Sequence, residues 1–132
     1  MRWIDKIAWL YIRDRKVLST RSRGKDTLYF PGGKREAGES DEEALLREIK
    51  EELTVDLIPE SLQFLGKFEA QAHGHPKGIM VIMTCYQANY RGELKTDSEI
   101  EELAWLTYAD KDKSSAVDQL IFDHLKNHNF ID

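Results

Sequence analysis

The chain has 132 residues and a formal net charge of −5, with 41% hydrophobic and 33% charged residues. That composition suits one globular domain over residues 1–132 with a core of its own, and it argues against binding a nucleic-acid polymer by phosphate neutralisation. No apolar run approaches the roughly 20 residues of a membrane-spanning helix. The single cysteine, Cys85, excludes an intramolecular disulfide and a cysteine-cluster zinc site. The expected setting is the cytoplasm, without a membrane.

In chain order, residues 6–12 and 16–20 read as strands joined by the charged turn Arg13-Asp14-Arg15. Asp5 and Lys6 interrupt the N-terminal apolar run, so it reads as a first strand and not as a signal peptide. A short strand-like run over residues 27–30 stops at the breaker Pro31-Gly32-Gly33. Ser40 followed by Glu43 is a capping box that opens a helix to about Leu53. Leu46, Ile49 and Leu53 form the stripe expected to face its core, with Glu48, Glu51 and Glu52 centred on the opposite, wet side.

Residues 62–70 and 79–90 read as further strands, the second opening on a nearly continuous apolar run that suits a central position. The loop between them holds His73 and His75, read as loop polarity because no cysteine or third histidine is near. A strand over residues 102–107 follows. Ser114 and Ser115 then precede a last helix with Val117, Leu120, Ile121 and Leu125 on one stripe. Tyr29, Phe30, Met80, Met83 and Trp105 are assigned to the core. Strands mixed with two well-separated helices predict an α/β fold, a mixed β-sheet sandwiched between helices.

The stretch REIKEEL, residues 47–53, sets Glu48, Glu51 and Glu52 on one helix face. Like charges at that spacing repel by a few tenths of a kcal/mol per exposed pair. Either the face is merely solvated, or it awaits a cation. Upstream, Arg21 and Arg23 stand two apart, so in a strand they share a face, where they are candidate phosphate or base contacts. Gly33 and Lys34 are two further candidates for substrate contact.

Read from Gly33, the sequence GKREAGESDEEALLREIKEELTV resembles the Nudix box, Gly-x5-Glu-x7-Arg-Glu-U-x-Glu-Glu-x-Gly-U, with U a bulky aliphatic residue. The matching positions are Gly33, Glu39, Arg47, Glu48, Ile49, Glu51, Glu52 and Val55. Thr54 stands where the box has its last glycine. A left-handed residue is common after a helix end, and a β-branched side chain resists that conformation, so the helix is expected to end differently here. The Phe-Pro-Gly-Gly lead-in and the late Glu-rich strand with Trp105 also resemble the small MutT-like members.

The resemblance implies a Nudix fold and hydrolysis of a nucleoside diphosphate linked to some group X. A nucleoside triphosphate or oxidised deoxynucleoside triphosphate, cleaved to monophosphate and pyrophosphate, is the candidate substrate. It implies Mg²⁺, with Mn²⁺ as a substitute, held by Glu48, Glu51, Glu52 and the backbone carbonyl of Gly32. Arg47 and Glu39 would orient these ligands, and the general base would be Glu48 or one of Glu99, Glu101 and Glu102. The partner would be a small nucleotide, bound by a monomer or homodimer. The alternative is a Nudix domain that binds or senses a nucleotide without cleaving it.

Overall fold

The computed structural model describes residues 2–72 and 75–132, so His73 lies outside the described residues. Nine strands and two helices are present among them: β1 (Arg2–Trp9), β2 (Ile12–Arg13), β3 (Lys16–Ser22), β4 (Gly32–Lys34), α1 (Asp41–Leu53), β5 (Asp56–Leu57), β6 (Gln63–Gln71), β7 (Ile79–Gln87), β8 (Tyr90–Arg91), β9 (Ile100–Leu106) and α2 (Ala116–Asn127). Strands β4-β1-β7-β6 form a mixed sheet in which β1 runs parallel to β7 from Arg2↔Ile79 to Trp9↔Tyr86. Strands β2-β3-β9 form a second sheet, and β5-β8 a short ribbon.

Alternation along β1 places a helix on each face. Ala8 and Leu10 pack into a cluster with Val117, Ile121, Phe122 and Leu125 of α2. Ile7 and Trp9 point the other way, against Leu45, Ile49 and Leu53 of α1. The result is the expected α/β/α arrangement.

Three local expectations need correction. The glycines read only as a breaker form β4, which pairs antiparallel with β1 through Lys6↔Lys34, Ile7↔Gly33 and Ala8↔Gly32. Residues 27–30, read as a strand, make only the isolated bridges Thr20↔Tyr29 and Leu28↔Ser114. The helical stripes are also shifted. Leu45 is buried in α1 where Leu46 is half-buried, and Phe122 is buried in α2 where Leu120 is exposed.

Helix α1 starts as its capping box dictates: the Glu43 N–H donates to Ser40 Oγ (3.1 Å) and the Ser40 N–H donates to Glu43 Oε1 (3.0 Å). Its end overturns the expectation for Thr54. That residue does adopt the left-handed conformation, at φ 62° and ψ 16°, with its N–H bonded to the Lys50 carbonyl. A hydroxyl contact to the Glu93 carbonyl (3.3 Å) helps to hold it there. The chain must turn at this point to bury Val55 and Leu57 beside α1, and that burial outweighs roughly 1–2 kcal/mol of left-handed strain. Thr54→Gly is therefore expected to stabilise the protein by about 1 kcal/mol in denaturant unfolding, less whatever glycine adds to unfolded-chain entropy.

Candidate active site

A cleft of about 410 Å³ opens between β1, β3, β4 and α1, with Glu48, Glu52 and Glu99 on its walls. The turn into β4 shapes its floor. Gly32 has φ +144°, and a Cβ there would lie 2.0 Å from the Ile7 carbonyl oxygen. A Cβ on Gly33 would lie 2.6 Å from the Glu48 carboxylate. Both glycines let the backbone approach where no side chain fits.

Glu52 is 8% exposed, not on a wet face as its spacing suggested. It accepts a hydrogen bond from the Gly32 N–H (3.0 Å), a contact that ties α1 to β4. Burial pushes its carboxyl up to about 8; the Gly32 N–H opposes that shift, and the nearby Glu48 and Glu99 charges add to it. Burial likewise raises Glu48 above the usual carboxylate range, against the pull of Arg47.

Arg47 organises the residues around these carboxylates. Its Nε and Nη2 donate to both oxygens of Glu39 (2.7 and 2.8 Å), the bidentate geometry that fixes a guanidinium. Its Nη1 donates to Glu48 Oε1 (3.0 Å), and Nη2 also reaches the Lys34 carbonyl (3.2 Å). These hydrogen bonds, Arg47 first and then the Glu36 N–H, hold Glu39 down at about 2. Arg35 fastens the same loop, bridging Asp5 on β1 (3.0 Å) and Asp41 at the start of α1 (2.6 Å).

Several candidates stand elsewhere. Glu51 is turned outward toward Arg47 (3.5 Å), its side chain 54% exposed. Strand alternation directs Thr20 and Ser22 into the cleft and Arg21 away from it. Arg21 pairs with Glu102 (2.8 Å) and Glu101 (3.4 Å), which occupies both of those late carboxylates as well. Arg23 is exposed just past the end of β3. Of the late acids only Glu99 lines the cleft. Lys34 lines it too, next to Lys6, a residue the sequence reading passed over. Burial lowers the Lys6 pKa, the Asp118 charge opposes the shift, and Lys34 adds to it.

The donor set can be tested against Mg²⁺. Every cleft acid is a carboxylate, as a hard cation that keeps several waters requires. Glu52 is buried beside Glu48, which disfavours its ionised form, and a divalent ion would relieve that cost. Among the described residues, no three acidic, histidine or cysteine side chains converge on one point. Two cleft glutamates fit such an ion. Glu51 joins them only by rotating off Arg47.

A NUDIX domain family model matches residues 5–124. An ADP-ribose pyrophosphatase of Methanocaldococcus jannaschii is 32% identical over 117 residues, covering 86% of this chain and 64% of that protein. An uncharacterized Nudix hydrolase of Bacillus subtilis is 29% identical over 92 residues, covering 70% of this chain and 58% of that protein. The chain thus spans about three fifths of the length of the curated relatives it matches. The crystal structure of a MutT protein from Methanosarcina mazei aligns at a TM-score of 0.76 with 19% identity, over 97% of this chain and 96% of that one.

Behind the cleft, α2 carries Asp118, fully buried, with Oδ2 accepting from the Phe30 N–H (3.1 Å) and Oδ1 without a partner. Burial pushes its carboxyl up to about 7. An unfolded aspartate titrates near 4, so between about pH 4 and 7 the folded chain keeps a proton that the unfolded chain has lost. The stability linked to Asp118 is full below that window and is lost as pH rises through it. The melting temperature of Asp118→Asn, minus that of the wild type, is therefore expected to become more positive from about pH 5 to 8. A difference that stays flat means the carboxyl is already ionised.

Proposed function

The chain belongs to the Nudix family, and from that premise we propose that it is a divalent-metal-dependent pyrophosphohydrolase of nucleoside diphosphate derivatives. One observation carries the reading: Arg47 holds Glu39 and Glu48 together at the edge of the cleft into which Glu48 and Glu52 project beside the Gly32-Gly33 turn. A pyrophosphate repels a nucleophile, so its oxygens need neutralising before water can attack. Bound Mg²⁺ would supply that neutralisation and lower the pKa of water.

The chain's own residues do the rest. Glu48 and Glu52 would hold the cation, with Glu51 joining them and the Gly32 carbonyl adding a backbone oxygen. Arg47 fixes the direction of Glu48 and, through Glu39, the loop that leads into α1. Water adds to one phosphorus as the bridging P–O bond breaks, and its proton passes to a cleft carboxylate. Glu99 suits that role because no lysine or arginine pairs with it among the described residues; only the Ser98 hydroxyl donates to it (2.6 Å).

A nucleoside triphosphate, ordinary or oxidised, is the first substrate we propose. ADP-ribose is the second, favoured by the name of the Methanocaldococcus relative. Phosphate release coupled through inorganic pyrophosphatase or phosphatase, across nucleoside triphosphates, 8-oxo-dGTP, ADP-ribose and nucleotide sugars, with Mg²⁺, Mn²⁺ or chelator, separates them. Metal-dependent turnover of one group is the expected result. Nucleotide binding without turnover of any would favour a sensing domain instead. Glu52→Gln is expected to lower kcat at least about 100-fold. Its metal-free melting temperature should be no lower than the wild type's above about pH 8, where the wild-type carboxyl would carry a buried charge. Wild-type turnover in both Glu52→Gln and Glu48→Gln would refute the metal-site assignment.

A further inference from the structure

Lys6 and Lys34 face each other across adjacent antiparallel strands, β1 and β4. Like charges directly opposite in a sheet are destabilising. Neither ammonium has an ion pair or hydrogen bond among the described residues to offset this; Lys6 has only the Tyr29 ring, 5.7 Å from its Nζ. Lys6 is also half-buried, so its ammonium has lost part of its hydration.

Both lysines line the cleft, and both line a second cavity of about 90 Å³ on its far side. The junction between the two spaces is therefore a doubly cationic neck. Beyond it the walls are mixed, with Ile4, Val81 and Val117 beside Gln71 and His75. Ser115 also lines that cavity, 4% exposed and with no partner for its hydroxyl. Asp118 lines neither space; its charge, with those of Glu52 and Glu48, favours the Lys6 ammonium without a direct ion pair.

We propose that Lys6 and Lys34 together clamp the phosphate that joins the reacting anhydride to the rest of the substrate, and that the group beyond that phosphate enters the second cavity. This rests on the pyrophosphohydrolase reading and adds a direction to it. The scissile end lies at Glu48 and Glu52, the retained phosphate at the neck, and the remaining end between β1 and α2. An ammonium acts on phosphate as a point charge, so the pair recognises the phosphate whatever base or sugar follows it.

The test is an NMR amide-shift titration, with Mg²⁺ present, of wild type, Lys6→Met and Lys6→Arg. The probes are AMP, GMP, CMP and the three unphosphorylated nucleosides. Wild type should bind the monophosphates with shifts in β1, β4, Val81 and Val117. Lys6→Met should weaken all three about tenfold, the size of one charged hydrogen bond, and Lys6→Arg should restore most of the loss. Nucleoside affinity should be equal in wild type and Lys6→Met. The Lys6→Met fold should persist with an unchanged or raised melting temperature, since no ion pair is lost and a repulsion is removed.

Equal monophosphate binding by wild type and Lys6→Met overturns the proposal. So does a loss that extends to the nucleosides, shifts that leave the second cavity untouched, or no binding of any monophosphate. These titrations need no turnover, so they decide the clamp even if every substrate screen is silent, an outcome that would sink the hydrolase reading separately.

Discussion

The hydrogen bond from the Gly32 N–H to the Glu52 carboxylate joins the two halves of the site. It fastens the last turn of α1 to β4, and β4 is in turn paired with β1 at the centre of the fold. Burying a carboxylate there is costly, since a charge removed from water needs a partner. A single backbone donor offsets only part of that, and the carboxyl responds by holding its proton to about pH 8. The fold thus keeps a carboxyl on the cleft wall in its neutral form, which a divalent cation would turn to its ionised form.

Arg47 shows how the carboxylates beside it are held. Its guanidinium takes both oxygens of Glu39 and one of Glu48, so the loop after β4 and the middle turn of α1 move as one piece. The glycines complete the geometry by subtraction: a methyl group on Gly33 would occupy the place of the Glu48 carboxylate. Arg35, clasped between Asp5 and Asp41, closes the same loop against β1. Charge is dense here, and of these paired groups Glu48 is the one that lines the cleft.

Much of this was legible in the sequence, and the parts that were not share a cause. The box gave Glu39, Arg47, Glu48 and Glu52 because spacing along one helix and its leading loop is local information. The capping residues Ser40 and Glu43 were readable for the same reason. Strand pairing is not local. Gly32 and Gly33 read as a breaker, yet β1 recruits them as a strand, and only that register brings Lys34 opposite Lys6. Arg21 and Arg23 looked like a matched pair, but strand alternation and the end of β3 part them. Asp118 carried a signal that went unread, since it lies three and four residues before the buried Ile121 and Phe122. Thr54 shows the limit of propensity: the tertiary packing of Val55 and Leu57 overrode it.

The central claim is that α1 carries a carboxylate kept protonated until a divalent cation replaces the proton. Calorimetric titration of the metal-free protein with Mg²⁺, in buffers of different ionisation enthalpy, counts protons released on binding. With the Glu52 carboxyl at about 8, close to one proton should leave per site at pH 7, falling toward none by about pH 9. Mg²⁺ binding at pH 7 with no proton released, or no binding at either pH, would contradict the account.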